Sequence, residues 1–170
     1  MADVQYAEEK PMDALFDQLD DIRNGMLSIK GSDQHPQPMT HFLDRETGVV
    51  WFITSRQTDL VAAIGQGATA QYTAVSPDQD FHISLQGPII QTMDQKKLEE
   101  LWGVMVSAWF EGDETDPDVI LLKMTLGEAA IWSSTDNIAK LGYQLIKAHL
   151  NPEHTPDVGT HKIVDFRKAM

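Results

Sequence analysis

The chain has 170 residues, 42% of them apolar, a formal net charge of −13 and no cysteine. That length suits one domain able to bury about two-thirds of the surface its unfolded form exposes. The acidic balance argues against a phosphate backbone or an anionic membrane surface as partner, and the lack of cysteine excludes disulfides, thiolate metal sites and cysteine nucleophiles.

The start, M-A-D-V-Q-Y-A-E-E-K-P, is a charged lead-in without the apolar core of a signal peptide. The longest apolar runs, Val49 to Ile53 and Leu60 to Ile64, are too short to span a bilayer, so a soluble cytoplasmic protein is expected. Pro11 occupies a first helical position, and Met12, Leu15, Phe16, Leu19 and Ile22 follow at helical spacing. Asn24-Gly25 ends that helix and M-L-S-I-K begins a strand. After the turn G-S-D-Q, the segment H-P-Q-P-M-T-H-F-L runs extended, because each proline disfavours helix before it and marks an edge or groove wall.

D-R-E-T-G is a turn, V-V-W-F-I-T is a β-branched and aromatic strand, and Thr58 or Asp59 caps a short helix over Leu60 to Ile64 that Gly65 and Gly67 end. A-T-A-Q-Y-T-A-V-S and F-H-I-S-L-Q-G-P-I-I-Q form a strand pair, with Phe81, Ile83 and Leu85 facing a core and His82, Ser84 and Gln86 facing away. Gly87-Pro88 interrupts the second of these and permits the bend a closing barrel needs. Thr92 with Gln95 predicts a capping box for a helix whose stripe is Leu98, Leu101, Trp102, Met105 and Trp109. V-I-L-L-K-M-T-L and A-A-I-W-S-S read as strands, Ser134 or Thr135 caps a last helix carrying Ile138, Leu141, Leu145 and Ile146, and N-P-E-H-T-P-D-V-G-T reads as a mobile tail. Six or seven short strands with three main helices and one short one give a mainly β fold, a β-barrel with flanking helices. Residues 1–150 make the barrel domain and 151–170 a C-terminal tail.

The glycines of G-Q-G-A-T-A, Gly65 to Ala70, have dinucleotide-fingerprint spacing but follow a helix and precede a strand, the reverse of what that motif requires. The acidic run through Asp113, Glu114, Asp116 and Asp118 lacks the glycine and terminal glutamate of a calcium loop. Six scattered histidines show no metal-binding spacing, so no metal is expected. The strand end running through Thr54, Ser55, Arg56 and Thr58 into a helix start is left with two readings. It either offers hydroxyls, backbone N–H groups and a guanidinium to an anion, or it caps the helix and closes the loop.

In order and spacing, several segments together resemble the flavin-binding split barrels related to pyridoxamine 5'-phosphate oxidase, in particular their general stress protein branch. They are G-M-L-S, x-P-M-T, W-F-x-T with its following helix, I-S-L-Q-G, L-W-G-V-M-V-S-A-W-F, D-P-D-V-I-L-L-K and A-x-I-W-S. The resemblance covers roughly residues 11–150. It implies a six-stranded antiparallel split barrel of the FMN-binding type, a homodimer, and FMN in two symmetric grooves between subunits. The residues it assigns to the cofactor are Gln37, Pro38, Met39 and Thr40, then Ile53, Thr54, Ser55, Arg56, Thr58 and Leu60, with Gln86 and Trp132 supplied from across the interface.

Three cations common in relatives are replaced, by Gln37, Leu60 and Asn137, which leaves Arg56 to face a flavin phosphate. Two functions follow. One is a flavin-binding protein with low oxidoreductase activity, in which the flavin does the redox chemistry and no dedicated catalytic residue is assigned. The other is a non-enzymatic split barrel that has lost flavin and binds another small molecule, as a stress-associated protein or otherwise.

Overall fold

A computed structural model of the chain describes residues 3–103, 115–134 and 159–169. Among the described residues, nine strands form one antiparallel sheet: β1 (Asn24–Ile29), β2 (Gln37–Thr40), β3 (Phe42–Asp44), β4 (Val49–Ser55), β5 (Ala68–Val75), β6 (Phe81–Thr92), β7 (Val119–Thr125), β8 (Glu128–Ser134) and β9 (Gly159–Asp165). The helices are α1 (Val4–Glu9), α2 (Pro11–Asp21), α3 (Asp59–Ile64), α4 (Gln95–Leu101) and α5 (Phe166–Ala169). The strand order is β2-β1-β5-β6-β7-β4-β3, with β8 joined to β6 and β9 joined to β8. The sheet curls into a half-barrel, the split-barrel arrangement expected from the sequence.

Gly87 makes that curl possible. Strand β6 runs unbroken through Gly87-Pro88, but along one edge residues 81–86 pair with β8 while residues 89–92 pair with β7. At the changeover a Cβ on Gly87 would lie 1.9 Å from the Thr125 carbonyl oxygen, so only glycine admits the two partner strands side by side.

The core fills the inside of the curl. Leu27, Val50, Phe52, Tyr72, Ile83, Leu85, Leu122 and Met124 line it, Leu60 and Ile64 of α3 close one end, and Leu15, Phe16 and Leu19 of α2 close another. Strand β4 reads as a continuous apolar run because both of its faces are covered. Val50 and Phe52 enter the main core, while Val49 and Trp51 join a second cluster with Leu121, Phe42 and Leu101 of α4.

Several expectations need correction. The charged lead-in is helix α1, capped by Asp3, whose carboxylate accepts from the Tyr6 N–H at 3.0 Å. Asp94 rather than Thr92 caps α4, accepting from the Lys97 N–H at 3.1 Å, and the helix ends at Leu101 with Trp102 as its C-cap. The extended segment after the first turn is two strands divided at His41. The end of the supposed tail is strand β9, paired with β8 from Glu128↔Asp165 to Ser134↔Gly159. It is followed by Phe166, buried and stacked on Phe16 with centroids 5.8 Å apart. Its apolar signal is weak because only one face of the strand is buried, through Val164. The predicted last helix, Met105, Trp109 and Asn137 lie outside the described residues. No helix among the described residues is long and apolar enough to cross a membrane.

Candidate functional site

Strand register sets one continuous outward face. Across β1, β5, β6, β8 and β9 the cross-strand partners Met26↔Thr73, Gln71↔Gln86, Thr73↔Ser84, Val75↔His82, His82↔Trp132 and Trp132↔His161 all point away from the core. Strand β2 extends that face through Pro38 and Thr40, both exposed. The face exposes four large apolar side chains around its polar middle: Met26, Val75, Trp132 and Ile163 are each 41–54% exposed. Trp132 stacks on His161, centroids 4.9 Å apart and planes within 12° of parallel.

Two shallow grooves lie in this face and meet at the Gln71/Gln86 pair. One, of about 530 Å³, is lined by Gln71, Thr73, Val75, His82, Ser84 and Trp132. The other, of about 640 Å³, is lined by Lys30, Ser32, Ala63, Gly67, Thr69 and Gln86. Both fall in the size range of small-molecule sites. The Lys30 ammonium donates to Gln86 Oε1 at 2.8 Å, placing a cation at the site that the sequence reading overlooked, since 56 residues separate the pair. Gln71 Nε2 donates to Ser84 Oγ at 3.1 Å, so the polar groups of the face are held in fixed orientations.

The second group of predicted residues lies at the end of β4. Thr54 is buried, while Ile53 and Ser55 face the side covered by α4. Thr58 is the N-cap of α3: its hydroxyl donates to the Ser55 carbonyl at 3.1 Å and accepts from the Val61 N–H at 3.3 Å. Ser55 Oγ donates to Asp118 Oδ2 at 2.7 Å and Gln57 Nε2 donates to Asp118 Oδ1 at 3.0 Å. The Arg56 guanidinium donates through Nε to the Pro117 carbonyl at 2.6 Å, and its Nη2 lies 2.7 Å from Met93 Sδ. Of the two readings of this loop, capping and closure describes it. Its hydroxyls and part of the Arg56 guanidinium are engaged within the chain, and the Asp118 carboxylate stands among them.

The remaining predicted residues separate. Pro38, Thr40, Gln86 and Trp132 share the outward face, whereas Met39 and Leu60 point into the core, with Leu60 completely buried. Gln37 is half-buried at the first position of β2.

His41, one of the six scattered histidines, is buried. Nε2 lies 2.7 Å from the Leu19 carbonyl and Nδ1 lies 2.7 Å from the Tyr72 hydroxyl, which is also 3.2 Å from the Met39 carbonyl. Burial lowers the His41 pKa from its ordinary value, outweighing the Leu19 carbonyl and Asp20, which both favour the charged ring. Burial likewise pushes the Tyr72 phenol up. His41 therefore ties β3 to α2 and to the barrel interior as a neutral ring.

Comparison with known proteins adds a family. The sequence model of the family described as pyridoxamine 5'-phosphate oxidase like matches residues 10–157. A structure described as that of a proposed general stress protein 26 from Jannaschia sp. CCS1 is 35% identical, covers 94% of this chain and 99% of its own, and superposes with a TM-score of 0.75. The general stress FMN/FAD binding protein from Xanthomonas citri is 31% identical over 77% of this chain and 93% of its own, with a TM-score of 0.67. A protein from Clostridium acetobutylicum related to general stress protein 26 shares the fold across 99% of both chains at 14% identity, with a TM-score of 0.68. Comparison with curated proteins returned no match.

Proposed function

The chain belongs to the pyridoxamine 5'-phosphate oxidase like family, and from that premise we propose that it is a homodimeric flavin-binding split barrel of the general stress branch with low oxidoreductase activity. FMN is the flavin the family leads one to expect, and a cytoplasmic location belongs to the same reading. The observation that carries the proposal is the outward sheet face, where Gln86, Lys30, Ser84 and Trp132 border two joined grooves beside exposed apolar residues. Such a surface suits a planar heteroaromatic ring covered by a second copy of the chain: an indole for stacking, amides and hydroxyls for ring edges, and apolar area to bury between subunits. The relative from Xanthomonas citri, described as FMN/FAD binding, supports the choice of ligand.

A bound flavin would supply the redox chemistry, while this chain's own residues would orient the ring and keep water from it. The test is a titration of flavin fluorescence with purified protein. Saturable quenching at micromolar protein supports the reading, and an unchanged signal contradicts it.

The second reading, a split barrel that has lost flavin and holds another small molecule, is favoured by one observation. The loop at Ser55 and Gln57 is closed on the Asp118 carboxylate. A dimer that is colourless and indifferent to every flavin would select it.

A further inference from the structure

The two joined grooves of the outward face differ in chemistry from end to end. At the Trp132 end the lining is apolar and hydroxyl-bearing, and His82 is its one titratable side chain. The other groove ends at the turn after β1, where Lys30 is its one charged side chain. Neither groove is lined by a carboxylate, although the chain carries 26 Asp and Glu residues, and Glu128, the cross-strand partner of Gln86, borders neither. Among the described residues no carboxylate pairs with the Lys30 ammonium, whose partner is the neutral Gln86 amide oxygen at 2.8 Å. The charge is thus held in place and left uncompensated, with one of its three donors spent. Ser32 Oγ lines the same groove and accepts from the Gln34 N–H at 3.0 Å, which leaves its own hydrogen to donate. Thr69 adds a second hydroxyl, and its backbone carbonyl accepts from the Lys30 N–H at 2.9 Å.

Register gives the distance between the two ends. His82 is the partner of Trp132, and Gln86 lies two outward positions further along β6, about 13 Å at the rise of a strand. A bare planar ring resting on the indole stays at one end of that span, whereas a ring with a flexible tail reaches both.

We propose that Lys30, with the Ser32 and Thr69 hydroxyls, is an anion subsite that holds the terminal phosphate of a ligand whose planar ring rests on Trp132. The proposal rests on the flavin reading above and deepens it: the subsite selects FMN over riboflavin, the same ring with a neutral ribityl chain. A phosphate monoester carries close to two negative charges at neutral pH and presents acceptor oxygens, the complement of one ammonium and two hydroxyl donors. The hydroxyl that ends the riboflavin chain gains no ion pair there. Lys30 is exposed, so the ammonium meets the tail without any rearrangement of the core.

The experiment is equilibrium binding of FMN and of riboflavin, read by flavin fluorescence, to the full-length wild type, Lys30→Gln and Arg56→Gln. The wild type should bind FMN at least tenfold more tightly than riboflavin. Lys30→Gln should reduce that preference at least tenfold by weakening FMN alone, with riboflavin binding unchanged. Arg56 borders neither groove, so Arg56→Gln should leave the preference as it is in the wild type. Equal affinities, or a preference for riboflavin, in the wild type overturn the proposal. So does a preference for FMN that survives Lys30→Gln or disappears in Arg56→Gln, and in each of these cases the flavin reading stands. Failure of both flavins to bind the wild type overturns the proposal and the flavin reading together.

Discussion

Acidification should unlock the His41 anchor. In the folded protein Nε2–H donates to the Leu19 carbonyl and Nδ1 faces the Tyr72 hydroxyl, inside a site where burial holds the ring below its ordinary pKa. The unfolded chain, with its histidine near the ordinary 6.5, therefore takes up a proton that the folded chain resists. Stability contributed by neutral His41 is complete above that value and is lost as the pH falls from it toward the lower folded value. The slope for one proton approaches about 1.4 kcal/mol per pH unit within that window. With a urea m-value of about 2 kcal/mol/M for a domain of this size, one unit of that slope moves the midpoint by roughly 0.7 M.

Other groups titrate in the same range, so the readout is a difference. Urea midpoints of the wild type and His41→Gln are compared at about pH 7.5 and about pH 5.5. The wild type should lose more than the variant on acidification, by at most about 1.4 kcal/mol for one proton, while His41→Gln should be less stable at the higher pH by the hydrogen bonds it forfeits, about 1–3 kcal/mol. Parallel pH profiles would refute the reasoning. They would mean that the imidazolium keeps its place by donating Nδ1–H to Tyr72, whose hydroxyl then donates to the Met39 carbonyl at 3.2 Å.

Gly87→Ala should be among the most damaging single changes in the sheet, costing about 3 kcal/mol or more in chemical denaturation, because its new methyl meets backbone rather than a movable side chain; a loss under about 1 kcal/mol would show that β6 can shift between its partners. Phe166→Ala should cost about 3–5 kcal/mol by removing the ring stacked on Phe16, and a neutral result would mean that the C-terminal segment is dispensable to the fold. Trp132→Glu places a charge on the outward face, and sedimentation should show the proposed dimer weakened at least tenfold, about 1.4 kcal/mol, with the far-ultraviolet spectrum unchanged. An unaffected mass would move the interface elsewhere.

Much of this fold is legible in the residues, for local reasons. The β5–β6 pair follows from the alternation of Phe81, Ile83 and Leu85, and α2 follows from Pro11 and its apolar spacing. Helix α1 escapes notice because six residues carry too little periodicity, and β9 because Val164 is its one buried position. The site is less legible, since its defining contacts are long-range. Ser55 and Gln57 are polar in either reading of their loop, and only the fold brings Asp118, more than sixty residues later, to within 3.0 Å of both. Lys30 gains meaning only beside Gln86. Leu60 shows the opposite case: its place on an apolar helix stripe is visible in sequence, and it is completely buried.

The central claim is that two copies of this chain meet across the outward sheet face and hold flavin there. Sedimentation velocity of the purified protein with added flavin, followed in the visible flavin band, tests both halves at once. Flavin colour should travel with a species of twice the chain mass, one flavin per chain. Colour left behind in the solvent, or carried by a single chain, would contradict the account.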